Sequence, residues 1–162
     1  MVKIKNLNLC INDIPRLAAI WEDVLGRHWL PDTSAQKIEH DLSHNLNKDK
    51  LPITLVAKQN NTPVGMISLC EKDGLESELT PWLTDFVVDK SYQGKGIGNK
   101  LMKSALEKYT KLGYKKLYMF TFDKNLQSYY ERWGWKKLSY DIYKTHPVII
   151  MQIDLTKKLV FQ

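Results

Sequence analysis

The chain has 162 residues, of which 43% are hydrophobic and 26% are charged, and its formal net charge is +6. This length suits one domain over residues 1–162, large enough to bury about two thirds of its unfolded surface in one core. No stretch approaches the ~20 consecutive apolar residues of a membrane span and no apolar signal segment opens the chain, so we predict a cytoplasmic protein with no membrane partner.

Hydrophobic patterning and punctuation residues predict the elements of the first half of the chain. Pro15 favours the start of a helix, since proline fits the first helical turn, and Gly26 is predicted to end it. The segment Thr33-Ser-Ala-Gln36 has the form of a capping box, and Asn60-Asn61 favours a hairpin. In chain order we predict a strand from Val2 to Cys10, a helix from Pro15 to Leu25, a helix from Thr33 to about Leu46, and strands from Ile53 to Lys58 and from Val64 to Leu69.

The second half alternates strands with two helical patterns. We predict a strand from Trp82 to Val88, a helix from Gly96 to Leu112, a strand from Leu117 to Phe122, a short helix from Leu126 to Arg132, strands near Trp135 to Leu138 and Val148 to Leu155, and a loosely held tail over residues 157–162. Strands outnumber crossover connections. We therefore expect an α/β (α+β) fold with a mixed, mostly antiparallel sheet of about six to seven strands, one parallel pair and about four flanking helices.

Two pairs of residues that often mark special chemistry are predicted to be ordinary. Cys10 and Cys70 lie at the ends of apolar alternation, which favours buried reduced thiols over a disulfide. His40 and His44 have the spacing of a zinc pair on a helix, but no third ligand has matching spacing. We expect no metal.

A glycine-rich turn, Gln93-Gly-Lys-Gly-Ile-Gly98, joins the strand that ends at Val88 to the long helix. Backbone N–H groups at such a turn form a concave nest, and the positive end of the helix dipole lies behind it. Glycine also adopts positive φ cheaply and lets a ligand approach the backbone closely. The turn predicts a site for a phosphate or pyrophosphate.

Three phosphate-binding patterns compete for this turn. The P-loop motif is excluded, because it requires Ser or Thr after its lysine and no hydroxyl residue follows Lys100. A dinucleotide fingerprint has its third glycine one position early, at Gly98; Asp123 could serve as its ribose-binding acid, but too few residues follow for a doubly wound sheet. The pattern Gln/Arg-x-x-Gly-x-Gly/Ala is matched without adjustment by Gln93, Gly96 and Gly98.

This third pattern resembles that of the GCN5-related N-acetyltransferase (GNAT) superfamily, which binds acetyl-CoA. A second block, Asn125 to Trp135, resembles the Tyr-x-x-x-Gly-Phe segment of the same superfamily. The two motifs together span Trp82 to Trp135, about a third of the chain. Asp89 stands where many members have proline, and Trp135 replaces the usual phenylalanine. The chain is thus similar to a single-domain, acetyl-CoA-dependent enzyme.

The resemblance implies roles for individual residues. The pantetheine arm would pair with the strand as the two parallel strands splay apart, the backbone N–H of Val88 would stabilise the tetrahedral oxyanion, and Tyr130 would protonate the leaving thiolate. Catalytic residues are expected at Tyr130, Asp85 and Val88. Cofactor-binding residues are expected at Phe86, Val87, Val88, Gln93, Gly94, Lys95, Gly96, Ile97, Gly98, Asn99, Asn125 and Tyr130.

The general base is left open by the sequence. A free lysine-type amine has a pKa of ~10.4, so a base or a water chain must remove its proton before it attacks a thioester. Asp85 lies on the motif strand, and Glu71, Glu76 or Glu78 could reach the site from the preceding loop.

Charge is distributed unevenly around the motif strand. Residues 90–116 hold eight lysines against Glu107, whereas residues 71–85 hold five acids against Lys72. A basic stretch suits a phosphate-rich cofactor and an acidic stretch suits a cationic amine, although most of these lysines are also explained as a solvated helix face. Arginine is scarce, so nucleic acid is not the expected partner.

The sequence therefore predicts an N-acetyltransferase that transfers acetyl directly from acetyl-CoA to a cationic amine acceptor: a small amine, a peptide or a protein amine. A non-catalytic acyl-CoA or nucleotide-binding module and a lysine-rich nucleic-acid-binding domain are the alternatives. Trp21, Trp29 and Tyr92 are expected in the core or at its rim, with an acceptor pocket as the other interpretation. A homodimer through the edge of Val148 to Leu155 is left open.

Overall fold

The computed structural model describes residues 1–75 and 77–157, which form a seven-stranded sheet in the order β1-β2-β3-β4-β5-β7-β6. Strands β4 and β5 are parallel, and all other neighbours in this sheet are antiparallel. The predicted fold class is confirmed. The strands are β1 (Val2–Asn6), β2 (Ile53–Gln59), β3 (Thr62–Cys70), β4 (Trp82–Val88), β5 (Lys116–Thr121), β6 (Lys136–Tyr143) and β7 (His146–Asp154).

Helices cover both faces of the sheet. On one face α1 and α3 pack against Val56 and Met66; on the other α4 buries Leu101 and Leu106 against β2, β3 and β5. Helices α1, α3 and α4 each bury one apolar stripe, as their spacing of apolar residues requires. The helices are α1 (Ile14–Trp21), α2 (Arg27–Trp29), α3 (Ala35–Leu42), α4 (Ile97–Lys111) and α5 (Gln127–Arg132).

The parallel pair opens as it leaves the centre of the sheet. Strands β4 and β5 pair at Trp82 and Tyr118, with the Tyr118 backbone N–H also donating to the Pro81 carbonyl oxygen at 3.0 Å. Beyond this point no further pairing joins the two strands within the described residues. The carboxyl-terminal part of β4 thus has a free edge, which lies beside the start of α4.

The structure corrects the first predicted helix. The α-helix ends at Trp21, and the chain continues through a π-helical turn, Glu22–Gly26, into α2. Gly26 has helical φ of −61° and does not end the helix. Its role is close packing, because a Cβ atom there would lie 2.6 Å from Cζ3 of Trp21.

Other boundaries also differ from the sequence-based expectation. Strand β1 ends at Asn6, whose side chain accepts from the Asn8 N–H and starts a 3-10 turn. Helix α3 is capped by Ser34, not Thr33, since the Ser34 hydroxyl oxygen accepts the Lys37 N–H at 3.1 Å. It ends at Leu42, four residues early. Strand β6 extends to Tyr143 because its hairpin with β7 is longer than its apolar pattern suggested.

The C-terminal strand does not supply an edge for a dimer. Strand β7 lies between β5 and β6, so the prediction for Val148 to Leu155 was wrong, and the sheet ends at β1 and β6. A homodimer and a single domain remain predictions. Residues 158–162 of the predicted tail lie outside the described residues. In the described ranges no helix is long and apolar enough to cross a membrane.

Both cysteines are free thiols, but they are half-buried rather than fully buried. Burial raises the pKa of the Cys70 thiol to about 12, which keeps it protonated at neutral pH.

Candidate active site

The glycine turn lies at the N-terminus of α4, as the sequence predicts. Gly94 and Gly96 have φ of 76° and 83°, and Gly96 is the N-cap residue of the helix. A Cβ atom at either position would meet no heavy atom within 4 Å, so these glycines face open space. Gly98 does not have a positive φ. Its Cβ would lie at an ordinary 3.5 Å from Cζ of Phe86.

The segment between β4 and this turn is held by side chains. Gln93 Nε2 donates to the Val88 carbonyl oxygen at 2.9 Å, and the Ser91 backbone N–H donates to Asp89 Oδ1 at 2.9 Å. Asp89 also forms an ion pair with Arg16 of α1. The carboxylate that replaces proline therefore ties the turn to the helix layer on the opposite face of the sheet.

A cleft of about 1430 Å³ lies where β4 and β5 diverge. It extends from the glycine turn to the C-terminal part of β5. Of the predicted site residues, the cleft is lined by Asp85, Phe86, Val87, Val88, Gln93, Gly94, Gly96, Ile97, Gly98, Asn99 and Tyr130.

Two predicted cofactor residues do not line this cleft. Lys95 is exposed, and its ammonium nitrogen lies 5.3 Å from the centroid of the Tyr92 ring. Asn125 is also exposed, and its backbone N–H donates to Asp123 Oδ1 at 2.8 Å at the start of a 3-10 turn. The structure thus brings together most of the predicted site but leaves these two side chains outside it.

Asp85 is placed by an irregularity in β4. Residues Met66 and Ser68 pair with Val87 and Thr84, so Ile67 alone faces Asp85 and Phe86, which is the two-against-one pattern of a β-bulge. Asp85 itself has φ of 49°, an uncommon conformation for a residue with a Cβ atom.

The bulge directs the Asp85 carboxylate into the cleft, where Trp21 Nε1 donates to its Oδ1 at 3.1 Å. Burial raises the pKa of this carboxyl, and the Trp21 hydrogen bond acts in the opposite direction. Of the other candidate bases, Glu71 and Glu78 are exposed and do not line the cleft, and Glu76 lies outside the described residues.

Tyr130 lies on α5 and reaches the cleft from the side of β5. Its side chain is buried, and its ring centroid is 6.4 Å from that of Phe86. Burial raises the pKa of the Tyr130 hydroxyl above its usual range, so the group stays protonated. The neighbouring Tyr129 hydroxyl donates to Asn99 Oδ1 at 2.8 Å and thereby connects α5 to the first turn of α4.

An aromatic wall lies at the far end of the cleft, and of its residues only Trp29 is indicated by the sequence. The Trp29 and Phe122 rings are stacked with centroids 5.4 Å apart, and the Phe120 and Tyr143 centroids are 5.1 Å apart. All four rings are half-buried and line the cleft. They come from α2, the end of β5 and the end of β6, so no local spacing in the sequence indicates that they meet.

Four further carboxylates line the same cleft as Asp85: Asp32, Asp41, Asp73 and Asp123. Asp41 comes from α3, and Asp73 comes from the loop between β3 and β4. Trp21, Trp29 and Tyr92 also line the cleft. Trp21 is packed in the core, and Trp29 and Tyr92 are half-buried, so the expected placement in the core or at its rim agrees with the structure.

Comparison with known proteins identifies the family. The model of the acetyltransferase (GNAT) family matches residues 15–135, about three quarters of the chain. The chain belongs to the GNAT family. The match includes the glycine turn, Asp85 and Tyr130, which are the parts of the cleft described above.

Curated GNAT relatives match a shorter segment. The probable spermine N(1)-acetyltransferase of Bacillus subtilis subsp. natto (strain BEST195) is 36% identical over 58 residues, which is 34% of this chain and 38% of that protein. The spermine/spermidine N(1)-acetyltransferase of Bacillus subtilis (strain 168) is 34% identical over the same length, again 38% of its chain. The match therefore spans well under half the length of these relatives.

Solved GNAT structures share the whole fold. An aminoglycoside 6'-N-acetyltransferase complexed with coenzyme A superposes with a TM-score of 0.72 at 17% identity, covering 96% of this chain and 98% of the other. A spermidine N-acetyltransferase chimera from Vibrio cholerae and hSSAT gives a TM-score of 0.73 at 17% identity, covering 96% of both chains. At this identity the likeness establishes the fold.

Proposed function

We propose that this protein transfers an acetyl group from acetyl-CoA directly to a primary amine of a cationic acceptor. One observation carries the proposal: a single cleft connects a helix N-terminus that suits phosphates with a half-buried carboxylate, Asp85, that suits an amine. Membership of the GNAT family and a neighbour that binds coenzyme A support the same conclusion.

Acetyl-CoA would bind along the glycine turn and the free edge of β4. The N–H groups around Gly94 and Gly96 and the N-terminus of α4 suit its pyrophosphate. Its pantetheine arm would pair with Phe86 to Val88 as an added strand, because β5 leaves this edge open. The predicted cofactor residues that line the cleft are our candidates for these contacts, and Lys95 and Asn125 are not.

The transfer needs three events at the thioester. Asp85, directly or through water, would take a proton from the acceptor ammonium; burial raises its pKa and makes it a better base than an exposed aspartate. The neutral amine then forms the C–N bond, while the backbone N–H of Val88 stabilises the oxyanion. The C–S bond breaks, and Tyr130, held protonated by burial, gives its proton to the thiolate. The second proton of the attacking nitrogen then returns Tyr130 to its neutral form, directly or through water.

The acceptor half of the cleft favours a cation. It combines carboxylates, Asp41, Asp73 and Asp85 among them, with a wall of aromatic rings, and both attract ammonium groups. Lys37, Lys72 and Lys144 line the same cleft. The curated relatives are named for spermine and spermidine, which are polycationic amines. Polyamines are therefore the first acceptors to test.

The test is acceptor-dependent release of coenzyme A thiol from acetyl-CoA, measured with spermidine, an aminoglycoside and a peptide with a free N-terminus. Wild-type protein should release thiol with at least one of them, and Asp85→Asn should lower kcat by about 10²-fold or more with acetyl-CoA affinity retained. Asp49→Asn, the same change at an exposed residue outside the cleft, is the control. Tight acetyl-CoA binding with no thiol release for any acceptor would favour the non-catalytic module.

A further inference from the structure

Asp73 is a half-buried carboxylate that lines the cleft without a partner of its own. It forms no hydrogen bond or ion pair with any residue in the described ranges, 1–75 and 77–157. Its neighbour Lys72 instead donates to the Ser77 carbonyl oxygen at 3.3 Å. Asp41, by contrast, is paired with Lys37 at 2.7 Å.

An ionised carboxylate that is shielded from water and lacks a cation is costly to the folded state. Burial, followed by the charge of Asp85, raises the pKa of Asp73 well above its ordinary value. A bound cation would remove this cost. Of the other carboxylates in the cleft, Asp41 is paired with Lys37, Asp85 accepts from the Trp21 indole, Asp123 accepts from the Asn125 N–H, and Asp32 is exposed. Asp73 is the half-buried carboxylate to which the described residues supply neither a paired cation nor a donor.

The aromatic wall lies beside this carboxylate. Gly74, the next residue, has φ of 79° and packs so closely on Tyr143 that a Cβ atom would lie 3.1 Å from Cε2 of that ring. Tyr143 in turn contacts Phe120 and Phe122, with ring centroids 5.1 and 6.1 Å away. The Lys144 ammonium nitrogen lies 5.7 Å from the centroid of the Tyr143 ring, so this ring already attracts one cation. A cation bound by Asp73 would lie near the same group of aromatic faces.

We propose that Asp73 and the Tyr143 side of the aromatic wall form a distal ammonium subsite, which binds a second positive charge of the acceptor while its reacting amine lies at Asp85. This inference rests on the proposed function. It assigns the acceptor class as diamines and polyamines, and it makes Asp73 a specificity-determining residue rather than a base. A monoamine would occupy the Asp85 end of the cleft only.

The experiment compares two acceptors that differ in one terminal amine, hexamethylenediamine and hexylamine. Wild-type kcat/KM should favour the diamine by about 10-fold or more, the order expected for one desolvated ion pair with cation–π support. Asp73→Asn should remove this preference by raising KM for the diamine, with hexylamine and acetyl-CoA kinetics unchanged. Tyr143→Leu should reduce the preference in the same direction, and Asp49→Asn should leave it intact.

Equal kinetics for the two acceptors with wild-type protein, or equal losses for both in Asp73→Asn, would overturn the subsite and leave the acetyltransferase proposal standing. Should wild-type protein acetylate neither amine, the proposed function is decided by the spermidine, aminoglycoside and peptide assays. The subsite is then decided by calorimetric titration of spermidine into protein with coenzyme A bound. Weaker binding by about 10-fold in Asp73→Asn supports it, and equal affinity refutes it.

Discussion

Replacing Trp21 with phenylalanine tests whether Asp85 acts as the base. Trp21 Nε1 donates to Asp85 Oδ1 at 3.1 Å, and this hydrogen bond lowers the pKa of the carboxyl against the effect of burial. A hydrogen bond to an ionised group contributes about 1.5 kcal/mol, and a tenfold change in a protonation equilibrium corresponds to about 1.4 kcal/mol. Loss of the donor should therefore shift the protonation of Asp85 to higher pH by about one pH unit.

The assay is the pH dependence of kcat/KM for the best acceptor. In wild-type protein the rate should rise with pH as Asp85 loses its proton, and in Trp21→Phe this acid limb should move to higher pH by about one unit. Activity at high pH should be largely restored, because the carboxylate remains in place. An unmoved acid limb in a folded variant would refute the assignment of Asp85 as the group that sets it.

Three further predictions concern Tyr130, the glycine turn and Asp73. Tyr130→Phe should lower kcat by about 10² to 10⁴-fold, with acetyl-CoA affinity and melting temperature nearly unchanged. The loss in kcat should be smaller for acyl donors with more acidic thiols. Turnover at the wild-type rate with every donor would show that water protonates the thiolate. Gly96→Val should weaken acetyl-CoA binding by about 10-fold in calorimetry, since valine disfavours φ of 83°. Gly98→Ala should bind acetyl-CoA normally, because its Cβ atom would lie at an ordinary 3.5 Å from Phe86. Equal affinities of the two variants would show that the glycine turn does not bind the cofactor. Asp73→Asn should raise the melting temperature at neutral pH, because the raised pKa of Asp73 means that its ionised form destabilises the folded state. The gain should vanish below pH 3.8, the ordinary pKa of an aspartate, where the carboxyl is protonated in the folded and unfolded states. A gain that is the same at all pH values would contradict this reasoning.

The geometry of the glycine turn could be predicted from sequence because it is local. A strand, a glycine turn and a helix follow one another from Trp82 to Lys111, and their relative placement is determined by the short connection between them. The same holds for Tyr130, which lies four residues before Gly134 on a short helix. The parallel pairing of β4 and β5 follows from the helix that connects them.

The acceptor half could not be predicted because it depends on contacts between distant segments. The bulge at Asp85 is visible only in the pairing of β4 with β3, and alternation of apolar residues does not encode it. Trp29, Asp73 and Tyr143 are separated by more than forty residues each, and they meet only after the sheet and its loops have formed. Sequence patterns therefore favoured an amine acceptor but did not indicate which side chains line this part of the cleft.

Gly26 has a different structural role from the helix end that the sequence predicts. Glycine after an apolar helical pattern commonly ends a helix, yet here the backbone stays helical through the π turn. Its missing side chain instead leaves room for the indole of Trp21, the donor to Asp85. This contact connects the shape of the N-terminal helices with the orientation of the candidate base.

The most direct test of the account is mass spectrometry of the acceptor after incubation with acetyl-CoA and the wild-type protein. The account predicts that hexamethylenediamine gains an acetyl group on nitrogen, with one coenzyme A thiol released for each acetyl transferred. Coenzyme A bound at the glycine turn together with an unmodified diamine, and equally unmodified spermidine and peptide amines, would contradict it.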